Sequence, residues 1–487
     1  MVNFTAKLYL SIYFYMSEKY CKNIIIGAGP AGLAAGYELA KAGQPVLIIE
    51  AESEVGGLCR TIDHNGYKFD FGGHRFFTKN QEVQKFWQDL LQEDFLERPR
   101  LSRIYYCQKF FAYPIKLFDA LLKLGLKESI LVGLSLIKTR IKRKIKKMPE
   151  ITFEDWITNR FGERLFNHFF KSYTEKLWGI SVKELGADWA AQRMKDLSLW
   201  QLLKTFIYKR EGQIKSLIEK FNYPKFGPGM FYERVAEEIK KIGNEIILET
   251  KLIKIIHNNN KVEKIIAQKK NGEILEITGE NFISSVPLNE MLKSLDPVIP
   301  ETLLNMVNKM RFRSFFDVCL VVNQKEVIPD NWIYVHEPEV TLLRVQNFKN
   351  WSPYMSADEN KTPIGAEYTV WETDELWQMS DKGKINLAKK ELDMIGLIQK
   401  DLSLDALVIQ NKYAYPVYHL DYKKDLDQIF SYLKQFKNFQ TIGRSGLYRY
   451  NNMDHSILTG FYAARNILGG NFDVLSVNTD DEYYEQK

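Results

Sequence analysis

"KNIIIGAGPAGLAAGYELAKAGQPVLIIE", Lys22 to Glu50, decides the fold. A short apolar run stops at a glycine-rich turn, an alanine- and leucine-rich segment follows, and a second apolar run ends in Glu50. The order reads as strand, turn, helix, strand. The glycines stand at Gly27, Gly29 and Gly32, a G-x-G-x-x-G spacing with a physical reason at each position. Gly27 permits the tight turn, Gly29 lets a pyrophosphate approach the backbone, and Gly32 lets helix and strand pack closely. With Pro30 and Ala31 between them, the helix start offers unpaired N–H groups and the positive end of its dipole to phosphate. Glu50 ends the second strand, where a carboxylate can bind the ribose hydroxyls of a dinucleotide.

Just beyond, "AESEVGGLCRT" (Ala51–Thr61) adds Gly56, Gly57, Leu58 and Arg60. A second glycine pair after the ribose acid resembles the FAD signature of glutathione-reductase-like and amine-oxidase-like flavoproteins. No second dinucleotide fingerprint, as a separate NAD(P)H domain would carry, is present in the chain. "FISSVP" (Phe282–Pro287) resembles the strand that returns to the FAD domain in those proteins. FAD is the expected cofactor.

Composition sets the outer bounds. The chain has 487 residues, room for about three domain-sized units. Its apolar fraction of 45% and charged fraction of 26% are those of an ordinary globular protein with a sizeable core. A net charge of +6 does not by itself imply a nucleic-acid partner. Cys21, Cys59, Cys107 and Cys319 are widely spaced, which argues against a zinc site and a disulfide scaffold, and no metal is expected. A reducing, cytoplasmic compartment fits best. The apolar run Leu8–Met16 is too short to span a bilayer and no small-residue cleavage site follows it; translation could start at Met1 or Met16.

Further along, residues 115–220 carry helical periodicity, and the stretch from Asn244 to Pro287 reads as short β-branched strands broken by Asn and Gly. Residues 311–371 again look strand-like. "DHSILTGFYAARNILGG" reads as a helix with Asp454 as N-cap and a Gly-Gly stop. The expected class is α/β. A Rossmann-like FAD domain (20–112, 223–290 and a closing helix in 437–470) would carry an inserted helical domain (113–222) and an antiparallel β-sheet substrate domain (291–436). Residues 1–19 and 471–487 would be tails. The run "KTRIKRKIKK" (Lys138–Lys147) has no interleaved aromatics for stacking on bases and reads as a solvated helix end. Peripheral contact with an anionic membrane through Lys138–Lys147 is the alternative left open.

Five further stretches resemble one family, the UDP-galactopyranose mutases, more the eukaryotic type than the bacterial. They are "FDFGGHRFFTK" (Phe69–Lys79), "FEDWITNRFGERLFNHFFKSYTEKLWG" (Phe153–Gly179) with "DWAAQRM" (Asp188–Met194), "WIYVHEPEVTLLRVQNFKNWSP" (Trp332–Pro353), "YAYPVY" (Tyr413–Tyr418) and "GRSGLYRYNNMDHS" (Gly443–Ser456). The resemblance implies a redox-neutral interconversion of the pyranose and furanose forms of a UDP-hexose. Reduced FAD acts through N5 as nucleophile at the anomeric carbon, with NAD(P)H as reductant. It also implies roles. Gly73 and His74 lie against the flavin, and Asp454, His455 and Ser456 begin a helix aimed at it. Arg344 and Arg444 hold the diphosphate; Tyr334, Tyr413 and Tyr450 surround it and the uridine; Trp178 and Arg193 belong to the nucleotide-binding region. His74, Arg344 and Arg444 are thus the expected catalytic set.

The chain departs from the mutase pattern at Thr174, where the family has asparagine, at Met453, where it has glutamine, and in a stretch before Asp454 that is two residues shorter. These fall where sugar and flavin would meet, so the sugar stays open. The competing reading is an FAD-dependent oxidase or desaturase of the amine oxidase or protoporphyrinogen oxidase class.

Overall fold

A computed structural model describes residues 16–145, 148–187, 220–258 and 260–478. Along the chain run β1 (Asn23–Ile26), α1 (Pro30–Lys41), β2 (Val46–Ile49), β3 (Ser102–Tyr106) and β4 (Lys109–Ala112), then helices α2 (Leu117–Leu124), α3 (Leu126–Ile145), α4 (Phe153–Phe161) and α5 (Ser172–Trp178). There follow α6 (Gly229–Lys241), β5 (Glu245–Ile247), β6 (Asn281–Ser284), β7 (Arg311–Val322), β8 (Trp332–Val335), β9 (Arg344–Asn347), β10 (Thr362–Val370), β11 (Ser403–Val417), β12 (Phe439–Thr441) and α7 (Met453–Ile467).

β5-β2-β1-β6-β12 form a parallel sheet. β1 and β2 are buried at every position, as strands covered on both faces must be. The strand read from "FISSVP" is β6, paired directly with β1. Close packing on this sheet is a matter of missing side chains. A Cβ on Gly32 would stand 1.9 Å from the Gly27 carbonyl oxygen, and one on Gly460 2.2 Å from that of Ala31. α1 therefore sits hard on its own loop, and α7 sits hard on α1. Both helices start at the same edge of the sheet.

A second, seven-stranded sheet runs β11-β7-β10-β9-β8-β3-β4. Along β7 the side chains alternate between two cores: Phe315, Cys319 and Val321 face one, and Phe316, Val318, Leu320 and Val322 the other. The expected sheet was antiparallel throughout, but β8 and β3 pair in parallel, Trp332 opposite Ser102. The hairpin β3–β4 comes from before the helical stretch, so no turn joins it to β8 and its direction is free. These two strands lie within 20–112 in sequence yet belong to this sheet and not to the parallel one. A third sheet joins Thr250–Asn258, Lys261–Lys269 and Ile274–Thr278 with the short Met16–Tyr20 and Leu295–Asp296.

One cap differs from the sequence expectation. α7 is capped by Asn452, not Asp454. Asn452 is extended (φ −80°, ψ −179°), and its N–H donates to Nδ1 of His455, 3.3 Å away, three positions into the helix. Asp454 instead lies in the first turn, where its charge still meets the positive helix end. Gly469, at φ +99°, ends the helix as expected. No helix among the described residues is long and apolar enough to cross a membrane.

Candidate active site

The two helix starts open into one cavity of about 1440 Å³ that runs from the glycine loop to the seven-stranded sheet. At the loop end, Gly27 takes φ +103°, and a Cβ there would stand 2.2 Å from Oγ of Ser285. Gly29 is the N-cap of α1 and offers no side chain to cap it, so its first-turn amides are left for a ligand. Gly57, at φ +56°, closes against it, and a Cβ on Gly57 would come within 3.1 Å of the Gly29 Cα. The two glycine pairs thus form one backbone cradle, tied by the Gly56 N–H donating to the Ala28 carbonyl at 2.8 Å. Gly27, Gly29, Pro30, Ala31, Glu50, Gly57, Leu58 and Arg60 all line the cavity. Gly32 does not; its place is in the helix–loop contact.

Glu50 is buried at the end of β2 and accepts from the N–H of Ala28 (2.6 Å) and of Glu52 (3.0 Å). Burial raises its pKa, and these two donors pull it back. Arg60 is held by Glu52 at 3.2 Å and the Gly57 carbonyl at 3.0 Å, over the ring of Phe71. A bare amide cradle and a helix start without a cap as donors, with a carboxylate acceptor at the strand end, are the set a flavin dinucleotide needs.

Gly73 and His74 line the middle of the cavity, and Asp454, His455 and Ser456 bring the start of α7 to the same space. The His74 ring nitrogen Nδ1 is shielded from water with no hydrogen-bond partner among the described residues. Burial and then the Arg444 and Arg344 cations push the imidazole down to about 4, so it is neutral at pH 7.

The far wall is aromatic and cationic. Tyr334 of β8 and Arg344 of β9 are direct register partners, and both line the cavity. Tyr413 and Tyr415 of β11 both line the cavity, at a point where the strand's register against β7 shifts and every residue from Asn411 to Tyr415 reaches it. Arg344 pairs with Glu367 of β10 and donates to the Tyr415 hydroxyl at 2.5 Å. Arg444 is held differently. Its Nε donates to the Ala414 carbonyl (2.8 Å) and Nη1 to the Asn451 carbonyl (3.0 Å), and its plane lies 4.0 Å over the Tyr450 ring. Arg444 forms no ion pair among the described residues. Neutral carbonyls orient it and leave its charge for a ligand.

Of the remaining expected residues, Trp178 is fully buried and does not line the cavity. Its indole packs under Tyr415, Tyr418 and Tyr450, so it braces the wall and does not present a face to a ligand. Thr174 is likewise buried. Arg193 and the "DWAAQRM" segment lie outside the described residues. The sequence reading missed Tyr415, Glu367 and Arg100, the last lining the cavity over Trp332. Tyr415 had a signal as the second phenol of "YAYPVY". Glu367 had none, because its link to Arg344 is a cross-strand register.

The sequence profile of the flavin containing amine oxidoreductases matches residues 30–468. Among curated relatives, human all-trans-retinol 13,14-reductase is 40% identical over 81 residues, 16% of this chain and 13% of that protein. The 15-cis-phytoene desaturase of Synechococcus elongatus is 23% identical over 288 residues, 55% of this chain and 58% of that protein. The chain thus matches less than two thirds of the length of either. Among solved structures, reduced UDP-galactopyranose mutase superposes with a TM-score of 0.81 at 21% identity, covering 95% of this chain and 97% of that one. A putative protoporphyrinogen oxidase from Exiguobacterium gives 0.68 at 17% identity over 92% and 98%. At these identities the likeness is one of fold, and the fold is that of an FAD flavoprotein.

Proposed function

The chain belongs to the flavin-containing amine oxidoreductase family, and within it we propose that it is an FAD enzyme interconverting the pyranose and furanose forms of a UDP-hexose, as a UDP-galactopyranose mutase does. One observation carries this reading. Arg344 and Arg444 face the same cavity as the dinucleotide cradle, among the phenols of Tyr334, Tyr413, Tyr415 and Tyr450. An amine or polyene would be met by apolar walls, whereas two guanidinium groups select an anion such as a diphosphate.

Reduced FAD, replenished by NAD(P)H, supplies the nucleophilic N5. The chain's own residues do the rest. Arg444 and Arg344 hold the diphosphate charge that grows as UDP leaves and falls as it returns. Tyr450 and Tyr413 donate hydroxyl hydrogen bonds to its oxygens, the Tyr415 hydroxyl accepts from Arg344 and donates to Glu367 and so steadies the arginine, and Tyr334, braced through Tyr173, closes the uridine side. Trp178 supports that wall from behind. The start of α7 directs its positive dipole end into the cavity, favouring negative charge there. His74, neutral at pH 7, adds no third cation.

A second reading, a net oxidase or desaturase, is favoured by the names of the curated relatives, a reductase and a desaturase. Titrating the FAD-loaded protein with UDP by calorimetry, and separately with amines and polyenes while following flavin absorbance, separates the two. The mutase reading expects UDP binding and no bleaching by the organic reductants. Bleaching by an amine or a polyene with no UDP affinity would overturn it.

A further inference from the structure

Helix α3 carries a face that, among the described residues, neither the fold nor the cavity uses. Its inner side is fully engaged. Val132 is buried, Glu128 accepts from Arg164 and pairs with His168, both at 2.8 Å, and Arg143 donates to the Asn159 carbonyl at 2.9 Å. The outer side presents Leu126, Ile130, Leu134, Ile137, Ile141 and Ile145, each between 53% and 80% exposed. At about 100° per residue these six fall within an arc of roughly 100°, and the 20-residue helix carries them along about 30 Å. Leu122, on the preceding helix α2, is 70% exposed as well. Single exposed aliphatics need no explanation, but a continuous stripe does.

Charge identifies the occupant. From Leu117 to Ile145 seven Lys and Arg stand against two acids, which places most of the chain's net charge of +6 on this segment. Both acids are already paired, Asp119 with Lys123 at 2.6 Å and Glu128 as above. Lys138 and Arg140 fall just outside the two edges of the aliphatic arc, and Lys142 and Lys144 follow toward the helix end. Lysine and arginine stems can lie along apolar surface while their heads reach phosphate. Without a helix long and apolar enough to cross a bilayer among the described residues, such a helix lies in the plane of the headgroups.

We propose that α2–α3 is an in-plane anchor that lays the protein on an anionic lipid surface. The aliphatic stripe enters the headgroup boundary, and Lys138, Arg140, Lys142 and Lys144 bind lipid phosphates. The anchor begins four residues after Tyr113, which lines the cavity, so the lipid-bound segment is continuous with the cavity wall. This inference does not depend on the mutase reading.

The test is flotation of the full, FAD-loaded protein with phosphatidylcholine vesicles, with and without phosphatidylglycerol. Binding to the anionic vesicles is expected, weakening as salt rises. The triple variant Ile130→Ser, Leu134→Ser, Ile137→Ser and the quadruple variant Lys138→Gln, Arg140→Gln, Lys142→Gln, Lys144→Gln should each lose about tenfold or more in partitioning. Flavin absorbance and the melting midpoint should hold, since these side chains are exposed. Failure of the wild type to float at low salt overturns the proposal, as does undiminished flotation of the serine variant. A wild-type dimer that the serine variant makes monomeric, with no vesicle binding by either, would assign the face to a second copy of the chain and equally overturn it.

Discussion

Arg344 and Glu367 face each other as register partners on β9 and β10 and form an ion pair, with the Tyr415 hydroxyl hydrogen-bonded to both. Glu367 is only 1% exposed. Arg444, 5.2 Å over the ring of the same Tyr415, has carbonyl partners instead. The two arginines therefore offer an anionic ligand unequal charge, and variants at the two positions should behave differently.

Arg444→Ala should weaken UDP binding by about 1.5–3 kcal/mol, the range for hydrogen bonds to charged groups, with little effect on the melting midpoint. Arg344→Ala should weaken UDP binding too, but it should also lower stability by about 3–5 kcal/mol because Glu367 is left buried without its partner. Calorimetry and thermal melts on the two variants check this. Equal melting midpoints would show that the Arg344–Glu367 pair is not structural.

Glu367→Gln keeps the shape of the side chain and removes the charge that competes for Arg344. UDP affinity should rise while the melting midpoint falls. If affinity falls or stays the same, Arg344 does not reach the anion.

Gly460→Ala places a methyl group against the Ala31 carbonyl oxygen, 2.2 Å from the ideal Cβ position. α7 must move off α1, at a cost of about 1–3 kcal/mol for overpacking. Because both helix starts face the cradle, the purified variant should retain less flavin per protein than the wild type. Full flavin content at an unchanged melting midpoint would contradict the packing argument.

The lowered His74 pKa has a pH signature in the protein freed of flavin. The unfolded chain takes up a proton near 6.5 and the folded one only near 4, so between those values the unfolded state binds more protons. The stability associated with neutral His74 is present above pH 6.5 and is lost as pH falls toward 4. Asp70 has the opposite sign, since burial raises its pKa to about 7 and its protonated form favours the folded state below that pH. The two are separated by variants. His74→Gln should become less sensitive than the wild type to a change from pH 7.5 to pH 4.5, read from urea midpoints, whereas an equal drop in both proteins would remove the role of burial at His74.

The cofactor half of the molecule was legible because its determinants are local. Gly27, Gly29, Gly32 and Glu50 sit within one strand–helix–strand unit, so their spacing can be read from the sequence even though Gly27 and Gly29 meet Ser285 and Gly57 from outside it. Arg344, Arg444, Tyr413 and Tyr450 were found through resemblance, and all four line the cavity. What stayed hidden was cross-strand or set by burial. Glu367 is paired to Arg344 by sheet register, Trp178 lies behind the wall because Tyr415 and Tyr450 cover it, and the β8–β3 parallel pair joins segments more than two hundred residues apart. The basic run near Lys138 read as a solvated end because no aromatics interleave its charges; the aliphatic stripe beside them appears only when the outer face of α3 is separated from the inner.

The central claim rests on turnover. Dithionite-reduced, FAD-loaded protein mixed with UDP-galactopyranose, and sampled by anion-exchange chromatography and proton NMR of the anomeric region, should yield UDP-galactofuranose. The same mixture with oxidised protein should yield none. Absence of furanose from reduced protein with UDP-galactopyranose or any other UDP-hexose would contradict the account.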